Sequence, residues 1–416
     1  MKLAVIGGGS TYTPELADGI GRLLPDVEEL VLVDPDPERR SAVGPVSARI
    51  MAAHGHRARV RWTDSLDDGA EGADTILFQL RIGGQATRQR DETWPLDCGC
   101  VGQETTGAGG LAKALRTVPV VLDLAERAAR RASPDAFIID FTNPVGIVTR
   151  ALLSAGHRAV GLCNVAIGFQ RDFAALLGVD PGMVSLGHVG LNHLTWERSV
   201  LVDGKDMLPD LLAAHADQIA PHTGLSADLI RHLGMVPSYY LRYYYAHDAV
   251  VESQRGAVTR AEEVARLETE LLELYADPAL DTKPPQLAQR GGAWYSEAAV
   301  DLLASLTGDR RDVQVVNTGN GGTLPFLPAD AVIEVPSVIS SGGAVPAAVA
   351  PVDPLLRGLI GHTYAYEELA LDAAIRGGRG RVYDALLAHP LVGQADQAEC
   401  LTDRLLAENA QFLSWT

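Results

Sequence analysis

The sequence predicts an α/β protein, with a Rossmann-type doubly wound parallel sheet over residues 1–168 and a mixed α+β domain over 169–416 for substrate and oligomer contacts. Strand-like apolar runs alternate with helix-like stretches through the first part of the chain, the pattern of a parallel sheet. A glycine turn follows the first run and an acidic residue closes the second. Beyond residue 168 the pattern changes to alternating segments, amphipathic helices and a tyrosine cluster. A chain of 416 residues also exceeds what one hydrophobic core usually holds.

Lys2–Ile6 reads as the first strand. Gly7-Gly8-Gly9 breaks it, and Thr13-Pro14-Glu15 supplies a cap, a first-turn proline and an acid for a helix. Free N–H groups and the dipole at such a helix start favour a pyrophosphate. Glu29–Val33 is the second strand and ends at Asp34, which could accept both ribose hydroxyls of an adenosine and so favours NAD. Gly7-x-Gly9-x-x-Tyr12 lacks the third glycine of the full fingerprint, and Arg39 and Arg40 keep NADP open. Further strands are expected at 59–62, 75–80, 136–141 and 159–162, with a helix over 111–131. Ligands of such sheets lie beyond the carboxyl ends of the strands, which selects Gly7 to Ser10, Asp34, Arg81, Asn143, Cys163 and Asn164. The Gly/Pro-containing stretch 337–354 reads as surface loops, and the helices of 354–412 as structural cover or an oligomer face.

Composition narrows the function. Hydrophobic residues make up 47% and charged residues 21%, with mean hydropathy +0.05, as in an ordinary soluble globular protein. A net charge of −18 argues against nucleic acid and anionic membranes as partners and for a small molecule. No apolar run approaches the ~20 residues that span a bilayer. Four cysteines without a secretory leader point to reducing cytoplasm and to no disulfide framework, leaving individual thiols for metal ligation.

Several residues could carry chemistry. Gly161-Leu-Cys163-Asn164 and Gly190-Leu-Asn-His193 place a thiol and an imidazole behind glycine-bracketed apolar runs, as half of a metal site or as core packing. Arg81 and Arg88 flank a glycine-flexible loop that suits an anion or sugar hydroxyls, or are solvated structural arginines. Asn143 could orient hydroxyls or cap a helix; Glu104, in Gly102-Gln-Glu-Thr-Thr-Gly107, could face the site or cap. Tyr240 could act as a base only if a cation or metal lowers its pKa from ~10. Arg290, beside Gly291-Gly292, could hold phosphate or be structural.

These segments together resemble glycoside hydrolase family 4. The likeness runs through Ile6 to Glu15, Arg81 to Glu92, Gly102 to Gly110, Leu115 to Pro119, Phe141-Thr-Asn-Pro-Val-Gly146, the cysteine and histidine segments, Pro284 to Ser296 and Val316-Asn-Thr-Gly-Asn320. It covers nearly the whole chain and is strongest to the 6-phospho-β-glucosidases. Ala166 stands where many relatives have proline, Asp140 where asparagine is usual, and Cys98 and Cys100 are not family signatures.

The resemblance implies NAD- and divalent-metal-dependent hydrolysis, usually with manganese, in place of the paired-carboxylate route. NAD+ takes hydride from sugar C3, the ketone acidifies the C2 proton, a base removes it, the aglycone leaves, water adds and the hydride returns. Cys163 and His193 would be the metal ligands, and Tyr240 the C2 base, its pKa lowered by the ion and Arg242. Gly7, Gly9, Ser10, Thr11 and Asp34 would hold NAD. Arg81, Arg88, Asn143, Asn164 and Arg290 would bind the phosphorylated sugar, with Glu104 in support, by a relay to the leaving group or otherwise. Asn164 replaces the aspartate that α-glycoside members carry after the cysteine, which favours β-glycosides. A galacto-configured or non-phosphorylated glycoside is the alternative substrate, and a hydroxy-acid dehydrogenase the alternative enzyme. The expected assembly is a homodimer or homotetramer.

Overall fold

A computed structural model describes residues 1–291, 294–308 and 310–415. Strands β1 (Lys2–Ile6), β2 (Glu29–Val33), β3 (Arg59–Thr63), β4 (Thr75–Phe78), β5 (Phe137–Asp140) and β6 (Ala159–Gly161) pair in parallel in the order β3-β2-β1-β4-β5-β6. This is the doubly wound sheet expected from the alternation of elements. Successive side chains of a strand face opposite sides, and β1 divides accordingly. Leu3 and Val5 enter a core with the helices Thr13–Leu23, Pro37–Ala53 and Tyr295–Thr307, whereas Ala4 and Ile6 enter one with the helix Gly107–Ala129 and the C-terminal helices. Both faces of the sheet are therefore covered.

The sheet does not end at β6. Strands β7 (Val184–Leu191), β8 (Leu194–Val202), β9 (Lys205–Asp206), β10 (Val236–Pro237), β11 (Asp312–Gly319), β12 (Val332–Ser340) and β13 (Gly343–Pro346) extend it with antiparallel pairs, in the order β10-β8-β7-β12-β11-β6. Antiparallel β11 docks on β6 through Asn317 opposite Gly161. Thus β6 and β7, which lead to Cys163 and His193, belong to one sheet and are separated by β11 and β12.

Two expectations are corrected. Residues 337–354 are not all loops: β12 continues to Ser340 and turns into β13, because the apolar Val338 and Ile339 keep strand pairing with Val345 and Ala344. Nor are all the thiols free: Cys98 and Cys400 form a disulfide with Cα atoms 5.9 Å apart, 302 residues apart in sequence. The helix Ala395–Asn409 folds back on the helix Gly84–Asp97 and brings them together, a proximity invisible in cysteine spacing. Cys100 and Cys163 remain thiols. The first helix is capped at Tyr12, one position before the Thr13 expected from the sequence. No helix among the described residues is long and apolar enough to cross a membrane.

Candidate active site

A cavity of about 630 Å³ opens beyond the carboxyl ends of the parallel strands, lined among others by Ser10, Arg81, Arg88, Glu104, Asn143, Asn164, Tyr240 and Arg290. Its volume is that of a small-molecule site. At one end lies the glycine turn. Gly7 has φ +89°, and a Cβ there would sit 2.6 Å from the Gln79 carbonyl oxygen. A Cβ on Gly9 would meet the Asp34 carboxylate at 2.7 Å, so only glycine keeps this cradle open. Asp34 holds the turn by accepting from Gly9 N at 2.9 Å and Asp36 N at 3.0 Å, which leaves further lone pairs for a ribose. Thr11 Oγ1 is buried with no hydrogen-bond partner. An open cradle, an acidic strand end and an orphaned hydroxyl fit a dinucleotide. Arg39 pairs with Glu268 at 2.8 Å, and Arg40 donates to the Asp34 carbonyl and pairs with Asp64 at 3.6 Å, so neither is a spare cation for a 2′-phosphate.

The thiol and the imidazole lie behind the cavity wall, beside Tyr240. Asn192 and His193 are the two turn residues between β7 and β8, because Leu191 pairs with Leu194. His193 has φ +62°, a left-handed conformation at a place where hairpins favour glycine, so the strain is kept for its side chain. Thr105 Oγ1 donates to Gln103 Oε1 at 2.9 Å and so accepts from His193 Nδ1–H, also at 2.9 Å. That assignment leaves the Nε2 lone pair for a cation. Burial lowers the imidazole pKa to about 4, against the opposing charges of Glu334 and Glu104, so it is neutral at pH 7. Burial, and then the charge of Glu334, push the Cys163 thiol up, while Asn192 hydrogen-bonds it. A borderline-soft donor set of one sulfur and one imidazole nitrogen, with a buried carboxylate behind, fits a divalent transition metal.

The Tyr240 ring stacks on His193 with centroids 3.6 Å apart and planes 7° from parallel. Burial, followed by Cys163, raises the phenol well above its ordinary range. The cation that opposes this is Arg88, not Arg242. Arg242 lies over the Tyr239 ring at 3.9 Å and donates to Tyr243 at 3.1 Å, which corrects the expected role of that arginine.

Glu104 takes Lys113 Nζ at 2.6 Å, Arg88 Nε at 3.1 Å and Arg81. Burial pushes its carboxyl up, but Arg81, Lys113 and Arg88 outweigh that and hold it well below the usual range. It therefore has no proton to relay to a leaving group and serves as a counter-ion. Nor does Glu104 cap the next helix: the N-cap of Gly107–Ala129 is Thr106, and the turn before it is closed by Gln103, whose Oε1 accepts from Thr105 N and Thr106 N. Arg88 also pairs with Glu92 at 2.7 Å. Asn143 is not a cap either: Pro144 is the N-cap of the helix Val145–Ser154, and Asn143 Oδ1 is buried without a partner. Arg290 binds Glu268 at 2.8 Å and keeps an unpartnered Nε; the neighbouring Gly292 lies outside the described residues. Asn164 lines the cavity just past β6.

Sequence reasoning missed Lys113, Glu268 and Glu334. Lys113 is buried on the helix Gly107–Ala129, and burial lowers its pKa to about 7 despite Glu104. Its signal was a charge inside the apolar run Leu111-Ala-Lys-Ala-Leu115, as Glu334 was inside Val332-Ile-Glu-Val335. Asp140, a departure from the family pattern, is fully buried, and burial holds its carboxyl far above the carboxylate range. A neutral acid group accepting from Thr142 N at 2.8 Å can replace an amide of the same size.

Comparison with known proteins places the chain in a family. Residues 2–179 match the family 4 glycosyl hydrolase model, and residues 188–392 match its C-terminal domain. A probable 6-phospho-β-glucosidase of Bacillus subtilis is 37% identical over 99% of this chain and 97% of its own. The chain belongs to glycosyl hydrolase family 4. Within the family it is also 34% identical to the 6-phospho-β-glucosidase of Escherichia coli, over 99% of this chain and 96% of that one. The structure of the Thermotoga maritima 6-phospho-β-glucosidase with manganese, NAD+ and glucose 6-phosphate superposes with TM-score 0.93 at 32% identity, covering 99% of both chains.

Proposed function

We propose that this family 4 enzyme hydrolyses 6-phospho-β-glucosides with NAD+ and a divalent ion such as Mn2+. The observation that carries the reading is the meeting of the Cys163 thiol, the His193 imidazole and the Tyr240 phenol at the end of a nucleotide-binding sheet. When bound, NAD+ supplies a hydride acceptor for sugar C3, and the divalent ion supplies Lewis acidity to the sugar oxygens.

The chain's own residues do the rest. Gly7, Gly9, Ser10, Thr11 and Asp34 form the nucleotide cradle, and Cys163 Sγ and His193 Nε2 are the metal donors. Tyr240 takes the C2 proton, and the cation beside the thiol lowers a phenol that burial alone keeps neutral. The orphaned Asn143 Oδ1 and the Asn164 amide orient sugar hydroxyls. Arg81, Arg88 and Lys113 share the charge of Glu104, and Arg39 and Arg290 share that of Glu268. In the first cluster, even with Glu92 beside Arg88, basic side chains outnumber carboxylates, which suits a 6-phosphate. Asn164 in place of an aspartate supports the β-anomer.

The test compares matched chromogenic β-glucosides with and without the 6-phosphate, each with NAD+ and Mn2+ supplied. Turnover of the phosphorylated compound alone is expected. Equal turnover of both would overturn the phosphate assignment, and turnover that survives removal of both NAD+ and metal would overturn the mechanism.

A further inference from the structure

Four adjacent strands place Gly161, Asn317, Glu334 and Gly190 in one row across the sheet, since Asn317 lies opposite both Gly161 and Glu334, and Glu334 opposite Gly190. Cys163 follows one end of this row and His193 the other. The two outer positions have no side chains, and none would fit. A Cβ on Gly161 would lie 2.9 Å from the Asn317 Cβ, and one on Gly190 would lie 2.0 Å from the Leu194 carbonyl oxygen.

The inner two positions are polar and buried. Glu334 Oε2 accepts from Asn317 Nδ2 at 3.0 Å and from Asn192 Nδ2 at 2.8 Å. Glu334 Oε1 meets His188 Nε2 at 3.2 Å, and His188 Nδ1 meets Glu197 Oε1 at 2.6 Å. Glu334, His188 and Glu197 are each at most 1% exposed. Two buried carboxylates share one imidazole, and among the described residues the hydrogen-bond partners of Glu334 are His188 and two amides, with no lysine or arginine, so a cation held nearby would meet a buried carboxylate that faces it through Asn192. Asn192 is the link outward: it donates to Glu334, hydrogen-bonds the Cys163 thiol and immediately precedes His193.

We propose that Glu334 is the positioning residue of the metal centre, fixing Cys163 through Asn192 and placing a buried negative charge behind the cation. The inference rests on Cys163 and His193 being the metal ligands. Outer-shell carboxylates of this kind orient ligands and offset the charge of the ion without touching it.

The test measures the Mn2+ Kd of the purified full chain from the electron paramagnetic resonance of free Mn2+, with the NAD+ Kd and the unfolding temperature in parallel. Glu334→Gln keeps the shape and removes the charge; Asn192→Ala cuts the link and leaves the Glu334–His188–Glu197 group in place. Each is expected to weaken Mn2+ binding about 10–100-fold while NAD+ binding stays unchanged, and Glu334→Asp is expected to restore part of the loss. Asn192→Ala keeps the proposal testable if Glu334→Gln does not fold. Folded variants with the wild-type Mn2+ Kd would overturn the proposal. His193→Ala separates the two levels: loss of Mn2+ binding there with none in Glu334→Gln and Asn192→Ala sinks only the inference, whereas retention in His193→Ala sinks the ligand reading itself.

Discussion

With His193 and Cys163 as the proposed metal ligands, their different protonation states set the pH dependence of metal binding. The imidazole, lowered by burial to about 4, has no proton to lose near neutrality, whereas the thiol is raised by burial and must lose one to ligate. Titration calorimetry of Mn2+ in buffers of different ionisation enthalpy should therefore report about one proton released per ion, with affinity rising with pH. Zero protons would remove the thiolate from the site. Asp140→Asn should change stability by no more than about 1.5 kcal/mol, the scale of one hydrogen bond, and leave turnover near wild type, because burial favours the neutral carboxyl; a larger loss of stability would show that the carboxyl is needed as an acid. At this scale the sequence singled out Cys163, His193, Tyr240 and Asn143 by residue type, and the fold brings the first three together and sets Asn143 in the cavity wall. It could not separate the two parts of the Gly102–Gly107 loop, in which Gln103 closes the turn and Glu104 balances charge, because both are one-residue choices set by side-chain direction.

Elements hold these residues in place through a few buried ion pairs and close backbone approaches. Glu268, on the helix Arg260–Tyr275, joins Arg39 of the nucleotide side to Arg290 of the substrate side. Burial raises its pKa, but Arg290 and Arg39 outweigh burial and bring it to about 2. A carboxylate depressed in the folded state contributes stability fully above its unfolded pKa and loses it as pH falls through the folded one. Between pH 4.5 and about 2, Glu268 should therefore surrender about 3 kcal/mol. Acid unfolding curves of wild type and Glu268→Gln should converge over that window, and parallel curves would refute the assignment. Gly161→Ala should cost about 1–3 kcal/mol by overpacking against Thr149 and Asn317, measured by urea unfolding. The parallel strands were legible because their apolar runs have the right length and punctuation. β13 and the Cys98–Cys400 bond were not, since both depend on distant partners: β12 for the first, the folding back of a helix across 302 residues for the second.

Across the whole molecule, one sheet carries the nucleotide turn on its parallel half and the His193 hairpin on its antiparallel half, with the junction at β6 and β11. Order along the chain separates these parts widely; strand order brings the glycine turn to one cavity with Tyr240, on whose ring His193 stacks. The continuity of that sheet was not legible, because pairing between β6 and β11 involves a single register position and leaves no periodic trace. In the proposed reading a nicotinamide-type cofactor, a metal and a phenol would act on one sugar ring, which is the requirement of oxidation followed by elimination and not of direct displacement. Hydrolysis of a 6-phospho-β-glucoside in D2O, with NAD+ and Mn2+ supplied and the sugar 6-phosphate product read by NMR, tests this most directly. In the proposed route the C2 proton passes to Tyr240 and is replaced from solvent, so the product should carry deuterium at C2. Product formed at full rate with only protium at C2 would contradict the elimination route.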